Sequence, residues 1–295
     1  MRPANFSLRR HETFTSGLLR VVDLLTNSIS DSLAHLSQHG EEDIHRVRTT
    51  IKRLRALLRL IRPAIDPAFF NREDRRLTTA AALLSFARDS EVARGTLKTL
   101  PVSDKMDQEA VRSALSGFEN RVELPKDLDQ TMAKVRRRVE QTRQNFHRLE
   151  LRGTEREIVE SGVRTVYRQG RSRMKFAIAQ GQDNSFHRWR IRAKNLYYEL
   201  QFLESVWPKR FHRMVSRLSK FQDQVGLDHD VAVLRAWLKK TPEEFGGAET
   251  VRRIVTCLDS QTRKLRRKVV PLGRKIWREN PRRFAREVAR HWGKR

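Results

Sequence analysis

Cysteine occurs once in the 295 residues, at Cys257. That excludes a disulfide framework and a cysteine-rich zinc cluster. Glycine takes only 13 positions, and no Asn-Gly or Asp-Gly pair is present, so the turn chemistry of a hairpin-rich β fold is missing. Aromatic residues make up 7% of the chain, with three tyrosines, which is few for a protein that stacks single-stranded bases. No apolar run approaches the roughly 18 residues of a membrane span, and Met1–Arg10 lacks the apolar core of a signal peptide. The expectation is a soluble protein of a reducing compartment, the cytoplasm. Walker loops, nucleophile elbows and catalytic triads are also missing from the pattern, so neither an enzyme nor a cofactor is expected.

What the chain has in excess is positive charge. Lys and Arg number 62 against 35 Asp and Glu, a formal net charge of +27. Charge of that size describes partners rather than fold: it draws polyanions and speeds their encounter. Hydrophobic residues still make up 38%, enough for a core built from amphipathic helices.

The charge is patterned, and the pattern occurs twice. His45, Arg48 and Lys52 recur as His187, Arg190 and Lys194, each shifted by 142 residues. H-x-x-R-x-x-x-K keeps its three side chains on one narrow stripe of a helix. The first copy continues through Arg55, Arg59 and Arg62. Like charges at this spacing repel, so an uninterrupted row points to an anionic ligand. Beside each stripe runs an apolar one: Val47, Ile51, Leu54, Leu58 and Ile61 correspond to Trp189, Ala193, Leu196, Leu200 and Leu203. Each helix therefore packs on one flank and offers cations on the next.

Helical periodicity extends along almost the whole chain. Segments near 11–38, 41–62, 68–98 and 104–120 form a first series. Segments near 126–151, 154–180, 184–206, 208–225, 229–240 and 247–279 form a second, with breaks at glycines and prolines such as Gly40, Pro63, Pro125, Gly181 and Pro208. The repeat predicts an all-α protein of two related halves, about 8–120 and 153–280. A connecting helix about 121–152 and a basic tail 281–295 complete the organisation.

The paired motifs resemble the conserved histidine α-helical domain, the CHAD domain. The stretch Gln222–Asp230, Arg88-Asp89 in the first half, and Tyr167-Arg168-Gln169-Gly170-Arg171 are similar to further segments of that family. The resemblance covers residues from about 10 to 275. It implies two pseudo-symmetric antiparallel four-helix-bundle halves around a basic central groove or pore, and the binding of inorganic polyphosphate. Tyr197, Gln201 and Glu204 stand where the family pattern and the first copy have cations, so the first stripe should grip harder.

On this reading Arg48, Lys52, Arg53, Arg55 and Arg59 contact polyphosphate, with Arg190 and Lys194 from the second copy. Arginine reaches phosphate bidentately and lysine as a point charge. His45 and His187 are expected in the first turns of their helices, where free N–H groups already favour an anion. Neither has a partner His at zinc spacing, so no metal is expected. Arg164, Arg168, Arg171 and Lys175 form a third stripe that could widen the surface, and Arg20 is its counterpart in the first half. Asp89, Asp223, Asp228 and Asp230 read as ion-pair partners of the motif arginines. The runs Arg136–Arg138, Arg263–Lys268 and Arg282-Arg283 read as solvated faces or a secondary polyanion surface. The same charge admits two alternatives: weak, non-specific nucleic-acid binding, or service as an accessory of a polyphosphate-processing enzyme. Association with polyphosphate granules would follow from the leading reading.

Overall fold

Eleven α-helices make up the described chain: α1 (Phe14–Ala34), α2 (Leu36–Ile61), α3 (Pro67–Ala82), α4 (Asp89–Lys98), α5 (Lys105–Ser116), α6 (Leu128–His147), α7 (Glu155–Gln180), α8 (Asp183–Phe202), α9 (Pro208–Lys240), α10 (Gly247–Ile276) and α11 (Pro281–Trp292). The computed structural model describes residues 5–84, 89–118 and 127–294, without the side chains of 36–41 and 89–90, and these contain no strand. Several helices begin where the sequence supplies a cap. Thr13, Asp66, Asp104 and Asn280 each accept backbone N–H bonds in the first turn of α1, α3, α5 and α11. Thr154 and Glu157 cap α7 reciprocally, and Gly181 closes it in the left-handed conformation, φ 66°.

Two hydrophobic cores hold these helices. The larger takes the apolar faces of α1, α2, α3, α6, α7, α8 and α11, the first half of α9 and the end of α10. Both apolar stripes read from the sequence lie in it, Val47 through Ile61 and Trp189 through Leu203, each of these ten side chains 0% exposed. Full burial of such a side chain contributes about 1.5–3 kcal/mol. The smaller core joins α4 and α5 to Val231, Leu234 and Leu238 of α9 and to Val251, Ile254 and Leu258 of α10. With 33 and 30 residues, α9 and α10 are each about 45–50 Å long, and they pack along one another and serve both cores.

The two motif helices touch directly, α2 against α8, and α7 lies across both. At the α7–α2 crossing Gly162 sits so close that a Cβ there would lie 2.1 Å from the Leu60 carbonyl oxygen. Nothing larger than glycine permits that approach.

Several expected boundaries differ. Gly40 does not end a helix, since α2 starts at Leu36 and runs through it. The segments 208–225 and 229–240 are one helix, whereas 68–98 is two. The connecting helix expected over 121–152 is α6, and it packs on α1 and α3. The basic tail 281–295 is instead largely helix α11, docked on α7 through Phe284, Ala285, Val288 and Ala289. Its arginines Arg282, Arg283, Arg286 and Arg290 are exposed. Among the described residues no helix is long and apolar enough to cross a membrane.

Candidate functional site

Because the two apolar stripes point into one core, the basic stripes beside them converge on one cleft, of about 280 Å³. Arg48, Lys52, Arg55 and Arg59 enter from α2, and His187, Arg190, Lys194 and Asn195 from α8. Val92 of α4 and His229, Asp230 and Val233 of α9 complete the lining. The cleft thus lies where the motif helices meet the helices of the smaller core.

A carboxylate holds two of these arginines. Asp74 of α3 accepts from Arg55 Nε at 2.9 Å and from Arg59 Nη2 at 2.8 Å. Burial would raise the Asp74 carboxyl, but the Arg55 hydrogen bond and the charges of both arginines outweigh it and hold its pKa below the ordinary value. Burial lowers Arg59 to about 10, against the pull of Asp74. Both members are therefore ionised at neutral pH. Arg48 donates to the carbonyls of Ala81 and Leu84 at 3.3 and 2.7 Å, a favourable place for a cation at the C-terminal end of α3.

On the other wall His187 Nδ1 and His229 Nδ1 approach to 3.1 Å, with ring centroids 4.3 Å apart. One ring donates to the other, so the pair is not doubly protonated in this geometry. Burial, then the charges of Arg190 and Lys194, depress the His187 pKa. Asn195 is 6% exposed, and its buried Nδ2 has no acceptor among the described residues. Leaving such a donor unmatched costs on the order of 1–3 kcal/mol, which an anionic oxygen in the cleft would recover. Beneath the cleft Glu199 is buried, and burial raises its pKa well above the ordinary value despite Arg59 and Arg192 nearby. The Arg192 pKa is lowered, by burial and then by Arg173 and Arg62.

The remaining expected residues lie elsewhere. Arg20 is held by Glu12, through Nε at 2.6 Å and Nη2 at 2.8 Å, and by the carbonyls of Asn5 and Ser7. It fastens the N-terminal segment rather than facing the cleft. Arg53 is 6% exposed, with its guanidinium over the rings of Phe6 and Tyr198, because the helical step from Lys52 turns it into the core. Arg164 and Arg168 face α11, lining a separate cavity with Asn280 and Arg282, while Arg171 and Lys175 do not line the cleft. His45 lies in the third turn of α2 instead of the first, exposed and 3.5 Å from Thr49 Oγ1. Asp228 pairs with Arg266 at 2.9 Å rather than with a motif arginine. The side chains of Arg88 and Asp89 fall outside the described residues.

A family model, the CHAD domain, matches residues 24–239. The chain belongs to the CHAD domain family. Its backbone is similar to the crystal structure of the CHAD domain from the plant Ricinus communis, with a TM-score of 0.65 and 18% identity, covering 95% of this chain and 96% of that one. No curated protein matches it. At that identity the likeness speaks for the fold of this CHAD domain, and its chemistry is argued from its own residues. His229 and Asn195, which line the cleft, and Asp74, which pairs with two of its arginines, were not among the residues expected to form the site. His229 had a signal, since it lies in the Gln222–Asp230 stretch that resembles the family. Asp74 had none: it approaches the stripe from another helix, and no spacing within α2 announces it.

Proposed function

We propose that this CHAD domain binds inorganic polyphosphate, without catalysis, in the cleft between α2 and α8. The observation that carries the reading is the convergence of the two R-x-x-x-K pairs. Arg48 with Lys52, and Arg190 with Lys194, stand 142 residues apart in the chain and line one cleft. A flexible chain of phosphates supplies a negative charge wherever such a row supplies a positive one. Binding is driven by counterion release and by charge-assisted hydrogen bonds. Among the described residues no aromatic ring lines the cleft apart from the two imidazoles, so these residues offer a nucleic-acid base no stacking platform.

The test is binding of long-chain polyphosphate at three salt concentrations, with duplex DNA at equal charge concentration as competitor. Binding that survives physiological salt and resists DNA is expected. Binding that vanishes with salt, or yields equally to DNA, would reduce the net charge to unspecific attraction and favour the nucleic-acid reading. Phosphate release with magnesium present should stay flat over hours; a steady release would instead make the protein an enzyme.

A further inference from the structure

The groove between α3 and α6 is larger than the cleft, about 830 Å³. It is built by a second coincidence of spacing. α3 contributes Arg72, Arg75, Arg76 and Thr79, at steps of three, four and seven from the first. α6 contributes Lys134, Arg137, Arg138 and Gln141 at the same steps. Each helix therefore presents three cations and then a neutral hydrogen-bonding side chain along one face.

The two faces meet antiparallel. Phe69 stands edge-on to Phe146, and one turn further along α3 Glu73 accepts from Thr142 at 3.0 Å and from Asn145 at 2.8 Å. Glu73 is fully buried beneath the groove and pairs with Arg76 and, at 3.5 Å, with Arg72. That fixes the direction of two guanidinium groups without placing a carboxylate in the lining. Arg75 and Arg137 are exposed and have no carboxylate partner among the described residues.

Helices packed side by side ordinarily flank their seam with opposite charges. Here both flanks are positive: six cations line the groove, and Glu73 lies buried beneath them, paired with Arg72 and Arg76. One buried carboxylate leaves most of that charge uncompensated, and an anion in the groove would relieve the remaining repulsion. Asp74, which holds the cleft arginines Arg55 and Arg59, lies two positions from both Arg72 and Arg76, roughly 200° around the helix. One helix, about 10 Å thick, thus separates the cleft from the groove.

We propose that the α3–α6 groove is a second site for a phosphate chain, so that one long polyphosphate can engage both flanks of α3. The inference rests on the polyphosphate reading of the protein but on different residues. Two linked sites raise the affinity for long chains by a factor of about 10² or more over either site alone, and leave short chains bound independently.

Calorimetric titration of the full chain separates the sites. The ligands are an oligophosphate too short to span α3, and a long polyphosphate. The groove variant is Arg75→Glu with Arg137→Glu, the cleft variant Lys52→Glu with Lys194→Glu. Circular dichroism checks folding, and the milder pair Arg75→Gln with Arg137→Gln serves if the reversals unfold. The parent should bind two short chains and each variant one, while long-chain affinity falls about 100-fold in the groove variant as the linkage is lost. A parent that binds one short chain, with the groove variant indistinguishable from it, overturns the second site. So does duplex DNA that displaces oligophosphate from the groove alone, which would make it a nucleic-acid surface. If the cleft variant keeps both short chains and the groove variant loses one, the groove stands and the cleft reading falls.

Discussion

Replacing Asp74 with asparagine should make the protein less stable and, at the same time, a better binder of polyanions. The carboxylate accepts from Arg55 at 2.9 Å and from Arg59 at 2.8 Å. Hydrogen bonds between charged groups contribute about 1.5–3 kcal/mol each when well enclosed. The Asp74 and Arg55 side chains, however, are each 25% exposed. Screening by solvent reduces the combined loss to about 2 kcal/mol. At about 2–4 °C per kcal/mol for a chain of this order of size, the melting temperature falls by roughly 4–8 °C.

Binding moves the other way because the same carboxylate competes with the ligand. Coulomb's law gives about 0.6 to about 2.4 kcal/mol between unit charges roughly 7 Å apart, for dielectric constants of about 80 and about 20. A gain near 1 kcal/mol, about fivefold in affinity, is expected for long-chain polyphosphate at physiological salt. Thermal unfolding followed by circular dichroism and a fluorescence binding titration measure the two effects on one sample. Weaker binding by the variant would refute the competition argument and mean that Asp74 orients the arginines for the ligand. An unchanged melting temperature would mean that the ion pair contributes nothing to the fold.

The depressed His187 pKa gives a pH signature. Between its folded value and the ordinary 6.5, the unfolded chain holds the extra proton, so the ligand-free protein loses stability as pH falls below about 6.5. A bound phosphate chain favours the imidazolium, so affinity should rise between about pH 7.5 and about pH 5.5. His187→Gln should flatten both trends, and affinity that weakens in acid would contradict the placement of His187 beside phosphate. Arg48→Glu with Lys52→Glu should cost more affinity than Arg190→Glu with Lys194→Glu, because Arg55 and Arg59 extend the first stripe; equal losses would remove that asymmetry. Gly162→Ala sets a Cβ against the Leu60 carbonyl at 2.1 Å. It should lower the urea midpoint by the equivalent of about 3 kcal/mol, the upper range for overpacking, because backbone cannot yield as a side chain can. A midpoint within error of the parent would show that the α7–α2 crossing is looser than described.

The sequence announced those features that repeat with a helical period. Val47 through Ile61 and Trp189 through Leu203 could be placed in a core because a 3.6-residue stripe has one physical outcome in a protein of this length. The cationic stripes followed from the same projection, and their meeting in one cleft required only that both apolar faces share a core. Properties set by a neighbouring helix stayed hidden. Arg20 is consumed by Glu12 only eight residues earlier, yet its place in a basic pattern said nothing of that. Arg53 differs from Lys52 by one helical step and is buried where Lys52 lines the cleft. Residues 281–295 looked like a tail because their arginines dominate the composition, while Phe284 and Val288, four apart, were the anchoring signal. Gly40 looked like a stop, but packing along α2 overrides the modest cost of a glycine inside a helix.

The position of the cleft along α9 has a mechanical consequence. Val225 belongs to the larger core and Val231 to the smaller, and His229 and Asp230 lie in the stretch between. That stretch is the shaft by which two separately buried masses are yoked. A polymer lying in the cleft bears on α2 and α8 from one mass and on α4 from the other, and so clamps them together. Amide hydrogen exchange in α4 and α5 should therefore slow when the cleft is filled, although α5 contributes nothing to its lining.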